Sequence, residues 1–418
     1  MARRECFVYV QLPGTLQTVV CGRYERTITR DGRAVGRFVY GRSYRTRADA
    51  VPLDPIHLPL APTVYETARL DGVFGVLRDA APDAWGRRVI ERMAGRQDLD
   101  EVDFLLESAQ DRAGALTFGR GPEPPGPVRA FNRVVQLKEL RRAAALIEQD
   151  VPDPVPAQII DLLDPGTSLG GARPKNVVED EDGLWIAKFP QRGDRWSNAP
   201  VEAAMLSLAS RCGIRVPETR VEPVGDESVL LVKRFDRERV GDGYLRHRMA
   251  SALTMLDADD APTDRWNWSY VVLADELQRW SARPRDDKAE LFRRMALNAL
   301  ICNVDDHPRN HAVVAAGREW RLAPAYDLTP NSRQGLEDRR LAMECGDLGR
   351  LATRENLLSQ SMRFGLRPGE ADAIVDEMAE TVVASWRGEV LRHGGSERDC
   401  QLIERAFTYP GFEYRAER

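Results

Sequence analysis

Apolar and polar residues alternate in three short runs early in the chain, Cys6 to Gln11, Leu16 to Tyr24 and Val35 to Tyr40, separated by the turn signals Pro13-Gly14 and Asp31-Gly32. A period of two predicts β-strands with one buried face. Phe74 to Arg88 reads as a turn that opens a helix near Asp83. Residues 119 to 128, Gly-Arg-Gly-Pro-Glu-Pro-Pro-Gly-Pro-Val, are too rich in proline and glycine for either regular structure and predict a linker. Beyond them helix and strand patterns mix. Lys138 to Gln149 and Val201 to Cys212 are expected as helices, and Val177-Val178, Leu184 to Phe189, Val216 to Val221 and Ser228 to Val232 as strands. From about residue 245 long helical patterns dominate, such as Asp286 to Val304 and Glu370 to Trp386. The expected division is an N-terminal β-rich subdomain over 1–120, a mixed segment over 130–236 and a helical segment over 237–418.

Two polar loops stand out against this background. The first reads Val304-Asp305-Asp306-His307-Pro308-Arg309-Asn310-His311, and the second carries Asp327 in Leu322-Ala323-Pro324-Ala325-Tyr326-Asp327-Leu328. The apolar run Arg294 to Cys302 predicts a buried helix delivering the first loop, and Trp320, Leu322 and Ala323 a strand delivering the second. An acid followed by an amide, with a lone acid in a second loop, is the arrangement phosphoryl transfer needs: one carboxylate accepts the proton of the attacking hydroxyl, and oxygen ligands hold Mg²⁺. Asp305 fits the first role, Asn310 and Asp327 the second. The same residues also make good turns, since aspartate caps helices and Pro308 bends the chain. His307 is expected to brace the loop, because no Cys/His cluster accompanies it.

In the mixed segment, Leu184, Ile186 and Lys188 share one face of a strand. A lysine there must bury its stem and find an anion, for which nucleotide phosphates are suited; an edge-strand lysine is the plainer alternative. Upstream, Thr167-Ser168-Leu169-Gly170-Gly171-Ala172-Arg173-Pro174-Lys175 offers small residues that let backbone approach phosphate, then a cation at Lys175. It is not a Walker A motif, and an ordinary glycine turn accounts for the same residues. Leu230 to Arg237 runs from an apolar strand into a charged turn, as a hinge bearing an adenine contact would, or as a strand end with surface charges. Glu202 is a candidate partner for Lys188, though a solvent-facing place is the simpler expectation.

Composition narrows the classes. A chain of 418 residues can bury two or three cores. With 60 Lys+Arg against 65 Asp+Glu, the net charge is −5, which argues against nucleic acid as the main ligand of the whole chain. Cys6, Cys21, Cys212, Cys302, Cys345 and Cys400 show no C-x-x-C spacing, so a reducing cytoplasm is expected, with neither a zinc site nor a disulfide framework. The first residues do not read as a signal peptide, and no apolar run approaches the roughly 18 residues of a membrane span.

With these pieces in order, the chain resembles the HipA-type serine/threonine kinases, toxins of bacterial toxin–antitoxin pairs. The resemblance rests on Asp79 to Arg88, Asp111 to Leu116, Ser168 to Lys175, Lys188, Val232 to Arg237, Asp305 to Asn310 and Tyr326-Asp327. It implies an α+β, protein-kinase-like, two-lobed fold with an additional N-terminal β-rich subdomain and a mostly helical C-terminal lobe. It implies ATP and Mg²⁺ as cofactors, with Asp305 as catalytic base and Asn310 and Asp327 as metal ligands. Lys188 then resembles the ATP lysine and Lys175 a second phosphate contact, with Gly170 and Gly171 in the phosphate loop. Phe235 lies beside adenine with Lys233 in the hinge, and Ser168 is the site of inactivating autophosphorylation. Implied partners are a helix-turn-helix antitoxin, operator DNA through that antitoxin, and a protein substrate of the aminoacyl-tRNA synthetase class, with growth arrest as the outcome.

The chain departs from the family pattern in three places. His247 to Thr254 stands where a Gln-Glu-Asp segment is frequent, Arg173-Pro174 where a Gln-Glu pair is common, and Lys233 replaces a hinge glutamate. Two other classes remain: a co-repressor module that only docks the antitoxin, and a small-molecule kinase. Intact Asp305, Asn310, Asp327 and Lys188 speak against the first, and the N-terminal segment against the second.

Overall fold

The computed structural model describes residues 3–126, 131–148, 162–163, 172–331, 339–407 and 409–413. Ser168, Gly170, Gly171 and the end of the 119–128 stretch lie outside them. The chain forms two compact units: 1–192 with 232–250 and 314–319, and 193–231 with 251–313 and 320–418. The Pro/Gly-rich stretch therefore runs inside the first unit.

In the first unit, strands β1 (Arg3–Gln11), β2 (Thr18–Ile28), β3 (Ala34–Tyr40), β4 (Val64–Thr67) and β5 (Leu116–Gly119) form one sheet in the order β4-β3-β2-β1-β5. All four pairings are antiparallel, with Tyr24 opposite Phe38 and Val8 opposite Phe118. The alternation expected from sequence is visible in β3, where Ala34, Gly36, Phe38 and Tyr40 are buried and the residues between are less so. Val8, Val10, Tyr24, Phe38 and Phe118 join Val76, Leu77, Val102 and Leu105 in one core. Each large side chain buried there contributes about 1.5–3 kcal/mol. Gly36 is required by a close approach: a Cβ at that position would sit 1.8 Å from the Gly72 carbonyl oxygen.

The helix expected near Asp83 spans Ala84–Ala94. Asp83 caps it, accepting from the Gly86 N–H at 2.7 Å, and Gly95 closes it in the left-handed conformation. A second sheet contains β6 (Asn132–Arg133), parallel to β7 (Lys175–Asp180), which is antiparallel to β8 (Gly183–Lys188). The expected Lys138 helix spans Leu137–Glu148.

In the second unit, β9 (Thr219–Val224) pairs with β10 (Glu227–Lys233), which crosses into the first unit at Val232. β9 begins three residues later than the expected Val216, after Pro217. The remaining mass is helical. Pro284–Leu300 packs against Tyr270–Trp280 and Pro368–Arg392, and Asn198–Arg211 packs against Pro368–Arg392. Pro284 at the first position and Asp286 and Asp287 in the first turn start the Pro284–Leu300 helix. It stops before Val304 because Cys302 adopts a left-handed φ of 54°. Among the described residues no helix is long and apolar enough to cross a membrane, and all six cysteines are free and buried.

Candidate active site

The loop after the Pro284–Leu300 helix is fixed by its own backbone. The His307 N–H donates to the Asp305 carbonyl at 2.8 Å and the Asn310 N–H to the His307 carbonyl at 2.8 Å. The Asn310 side-chain N–H donates to the same Asp305 carbonyl at 3.3 Å, which leaves its Oδ1 as an oxygen ligand. Asp305 is exposed, whereas Asp306 is 1% exposed. Asp306 Oδ2 accepts from the Tyr270 hydroxyl and from Asn298 Nδ2 at 2.7 Å, and lies 2.6 Å from His311 Nε2. Burial first, and the Asp306 carboxylate second, push the Tyr270 hydroxyl well above the usual phenol range. His307 braces the loop through its backbone. Its ring packs edge-on to Trp268, with Nδ1 buried and lacking a hydrogen-bond partner.

The loop carrying Asp327 is tied to the first. The Ala323 N–H donates to the Ala312 carbonyl at 2.8 Å, the Tyr326 hydroxyl to the Arg309 carbonyl at 2.8 Å, and the Asn331 N–H to the Cys302 carbonyl at 3.0 Å. The short strand Arg321–Leu322 that delivers it is anchored on the helix. Asp287, fully buried, accepts from Arg321 at 2.9 Å and from the Leu322 N–H at 2.9 Å. Burial pushes the Asp287 carboxyl up, but hydrogen bonds from Arg321 and Ser281 outweigh it and hold the acid below its ordinary range. Arg215 adds a bond to the Leu322 carbonyl at 2.9 Å, and Arg294 donates to that of Ala323. Asp327 itself is half-buried with φ 62°, a left-handed backbone at the residue expected to bind metal. Among the described residues no group of three or more His, Cys, Asp or Glu gathers to hold a metal. An amide oxygen from Asn310 and a carboxylate from Asp327 are the kinds of donor that Mg²⁺ takes together with water and substrate oxygens.

In the first unit, Lys188 ends β8 half-buried and stands directly opposite Lys175 of β7. Opposed cations repel, and the structure answers with Asp83: Lys175 Nζ lies 2.9 Å from Asp83 Oδ2, both side chains 3% exposed. Trp85 adds a bond from Nε1 to the Lys175 carbonyl at 3.1 Å. Lys175, expected as a second phosphate contact, is thus paired with the N-cap of the Ala84–Ala94 helix. Lys233 lies 5.4 Å from the Trp185 ring centre, and Phe235 is half-buried between buried Arg234 and Asp236. Glu202, with solvent as its simpler expectation, is 5% exposed.

Three structural features were not assigned from sequence: the anchor of Asp306, the Asp83–Lys175 pair, and the ion network around Asp111, Arg234, Asp236 and Arg237. Each includes at least one partner far off in the chain, Tyr270 for Asp306, Asp83 for Lys175 and Asp111 for Arg237, which no local pattern marks.

Comparison with known proteins gives the same outline. The HipA-like C-terminal domain matches residues 167–386 and the HipA N-terminal domain residues 20–119. A curated relative, "Putative kinase Y4mE" of Sinorhizobium fredii (strain NBRC 101917 / NGR234), is 24% identical over 354 residues, covering 76% of this chain and 79% of its own. Among solved structures, a chain of the Shewanella oneidensis MR-1 toxin–antitoxin complex of HipA, HipB and operator DNA superposes with a TM-score of 0.70 at 17% identity, covering 96% of this chain and 95% of that chain. At that identity the likeness is one of fold alone, α+β.

Proposed function

The chain belongs to the HipA family, and on that premise we propose that it is an ATP- and Mg²⁺-dependent protein serine/threonine kinase acting as the toxin of a toxin–antitoxin pair. The observation that carries this reading is the division of labour between Asp305 and Asp306: one carboxylate faces solvent while its neighbour is locked in the core. Asp305 is then free to accept the proton of a serine or threonine hydroxyl as its oxygen attacks the γ-phosphorus and the bond to ADP breaks. Asn310 Oδ1 and the Asp327 carboxylate would hold Mg²⁺, which when bound offsets the charge of the phosphates. In the first unit, Lys188 would serve a nucleotide phosphate and Phe235 the adenine. Lys175 shares in phosphate binding only by leaving Asp83. The substrate proposed is a translation component of the aminoacyl-tRNA synthetase class, with growth arrest as the result.

A helix-turn-helix antitoxin is the proposed partner, since the structural relative is known in complex with HipB and operator DNA. The net charge of −5 gives this chain little grip on a duplex, so DNA binding is assigned to the partner. Incubating the pure chain with labelled ATP and a lysate tests the kinase, with identification of the labelled protein and Asp305→Asn as control. Absence of any label with the unaltered chain counts against it. Gel shifts with and without the partner test the second part, and tight operator binding by this chain alone would overturn it.

A further inference from the structure

We infer that Asp111 and Gly114, in the connection leading to β5, are positioning residues for the nucleotide: they hold the Arg234–Arg237 turn and so set where Phe235 meets the adenine ring. The inference deepens the nucleotide reading above and rests on it. All the residues concerned belong to the first unit.

The turn is held at both ends by backbone. The Arg234 N–H donates to the Leu184 carbonyl of β8 at 2.9 Å, and the Asp236 carbonyl accepts from the His247 N–H at 3.0 Å. Its side chains are held by the segment before β5. Arg234 forks onto Asp111 Oδ2 and the Arg112 carbonyl, the latter at 2.8 Å. Arg237 reaches Asp111 Oδ1 at 2.8 Å and the Gly114 carbonyl at 2.9 Å. Asp236 Oδ2 accepts from the Gly114 N–H at 2.9 Å and from both arginines at 2.8 Å. Arg234, Asp236 and Arg237 are 4%, 5% and 8% exposed, Asp111 2%, so of the four turn residues Phe235 alone is not buried.

The anions Asp111 and Asp236 are set among the cations Arg234 and Arg237, with Arg246 at 3.9 Å from Asp111, and this mutual pairing is what permits their burial. Such a network is weak grounds for stability, because apolar side chains of like volume serve as well. Its particular contribution is geometry: planar guanidinium forks accept only a narrow range of orientations. Gly114 is also confined by the Arg248–Ser251 strand. Its φ is +76°, and a Cβ there would lie 3.3 Å from both the backbone nitrogen and the Cβ of Met249. The N-terminal segment, whose part in phosphoryl transfer is otherwise unassigned, thereby becomes part of the nucleotide site.

The test uses the full chain and compares Asp111→Asn and Arg237→Lys with Val8→Ala, a core truncation in β1. Arg237→Lys keeps the charge and removes the fork, so it decides the matter if Asp111→Asn yields no folded protein. The expected result is a KM for ATP raised about ten- to hundredfold in both network variants, with kcat at saturating ATP largely kept. Val8→Ala is expected to lower the melting temperature and leave the KM for ATP alone. An unchanged KM in the network variants, with only the active fraction reduced as for Val8→Ala, overturns this inference and leaves the kinase reading standing. An unaltered chain that neither binds nor turns over ATP overturns the nucleotide reading and this inference together.

Discussion

Asp305 and Asp306 are consecutive carboxylates in opposite environments, the first exposed and the second gripped at one oxygen by Tyr270, Asn298 and His311. Asn298 is itself held by Asn303 at 3.0 Å, so the grip continues into the Pro284–Leu300 helix and the turn after it. A loop pinned this way keeps Asp305 in place without committing its charge.

Asp305→Asn is therefore expected to lose about 10²–10⁴ of the phosphoryl-transfer rate with an unchanged melting temperature. Asp306→Ala is expected to destabilise the chain by about 1–3 kcal/mol, because buried donors lose their acceptor. Urea midpoints and labelled-ATP assays on both variants check this. Near-normal activity in Asp305→Asn, with Asp306 essential instead, would reverse the assignment.

Asp327 occupies a left-handed backbone, which asparagine tolerates and β-branched residues do not. Asp327→Asn is expected to fold normally and to lose transfer, with nucleotide binding weakened as well. Asp327→Val is expected to lose transfer and also about 1–2 kcal/mol of stability. Full activity in Asp327→Asn would remove this residue from the metal role.

Much of this was legible in the sequence where one face of an element meets solvent. β3 alternates because its sheet is buried on one side, and Asp83 caps its helix as its position implied. A helix was legible over Val201 to Cys212, where Asn198–Arg211 is found, but not that Glu202 lies inside, because this helix is buried over most of its length and no polar stripe marks an outer face. The spacing of Asp305, Asn310 and Asp327 pointed to the chemistry. Which of two adjacent acids faces outward did not follow from spacing, since Tyr270, 36 residues away, and Asn298 decide it. The Asp111–Arg237 pair spans 126 residues, and no local pattern encodes a partner at that range.

Ser168, outside the described residues, is expected to be autophosphorylated and the modified form to hold ATP poorly. A phosphoserine adds a charge of about −1.5 to −2, close in sequence to Arg173 and Lys175, where it competes with the nucleotide's phosphates. Mass spectrometry after incubation with Mg²⁺ and ATP, with Asp305→Asn as the inactive control, reads the first half. ATP affinity of the purified phosphorylated fraction reads the second. An unmodified Ser168 in protein that labels its substrate leaves this serine a turn residue.

Acid stability offers a separate view of the network around Asp111. Burial pushes its carboxyl up, but Arg234 and Arg237 outweigh burial and hold it below the ordinary 3.8, and the Asp236 carboxyl is likewise held down. A carboxylate whose pKa is lower in the folded than in the unfolded chain binds fewer protons when folded in that interval. Stability therefore rises with pH there. The contribution is complete above the unfolded value and is lost as pH falls from 3.8 through the lower folded values. Asp111→Asn has less of that contribution to lose. Its urea midpoint is expected to lie below that of the unaltered chain near neutral pH, with the gap narrowing as pH drops below about 4. Midpoints measured across that interval decide it: a gap that stays constant into acid would mean that Asp111 is not held as a charged partner of the two arginines.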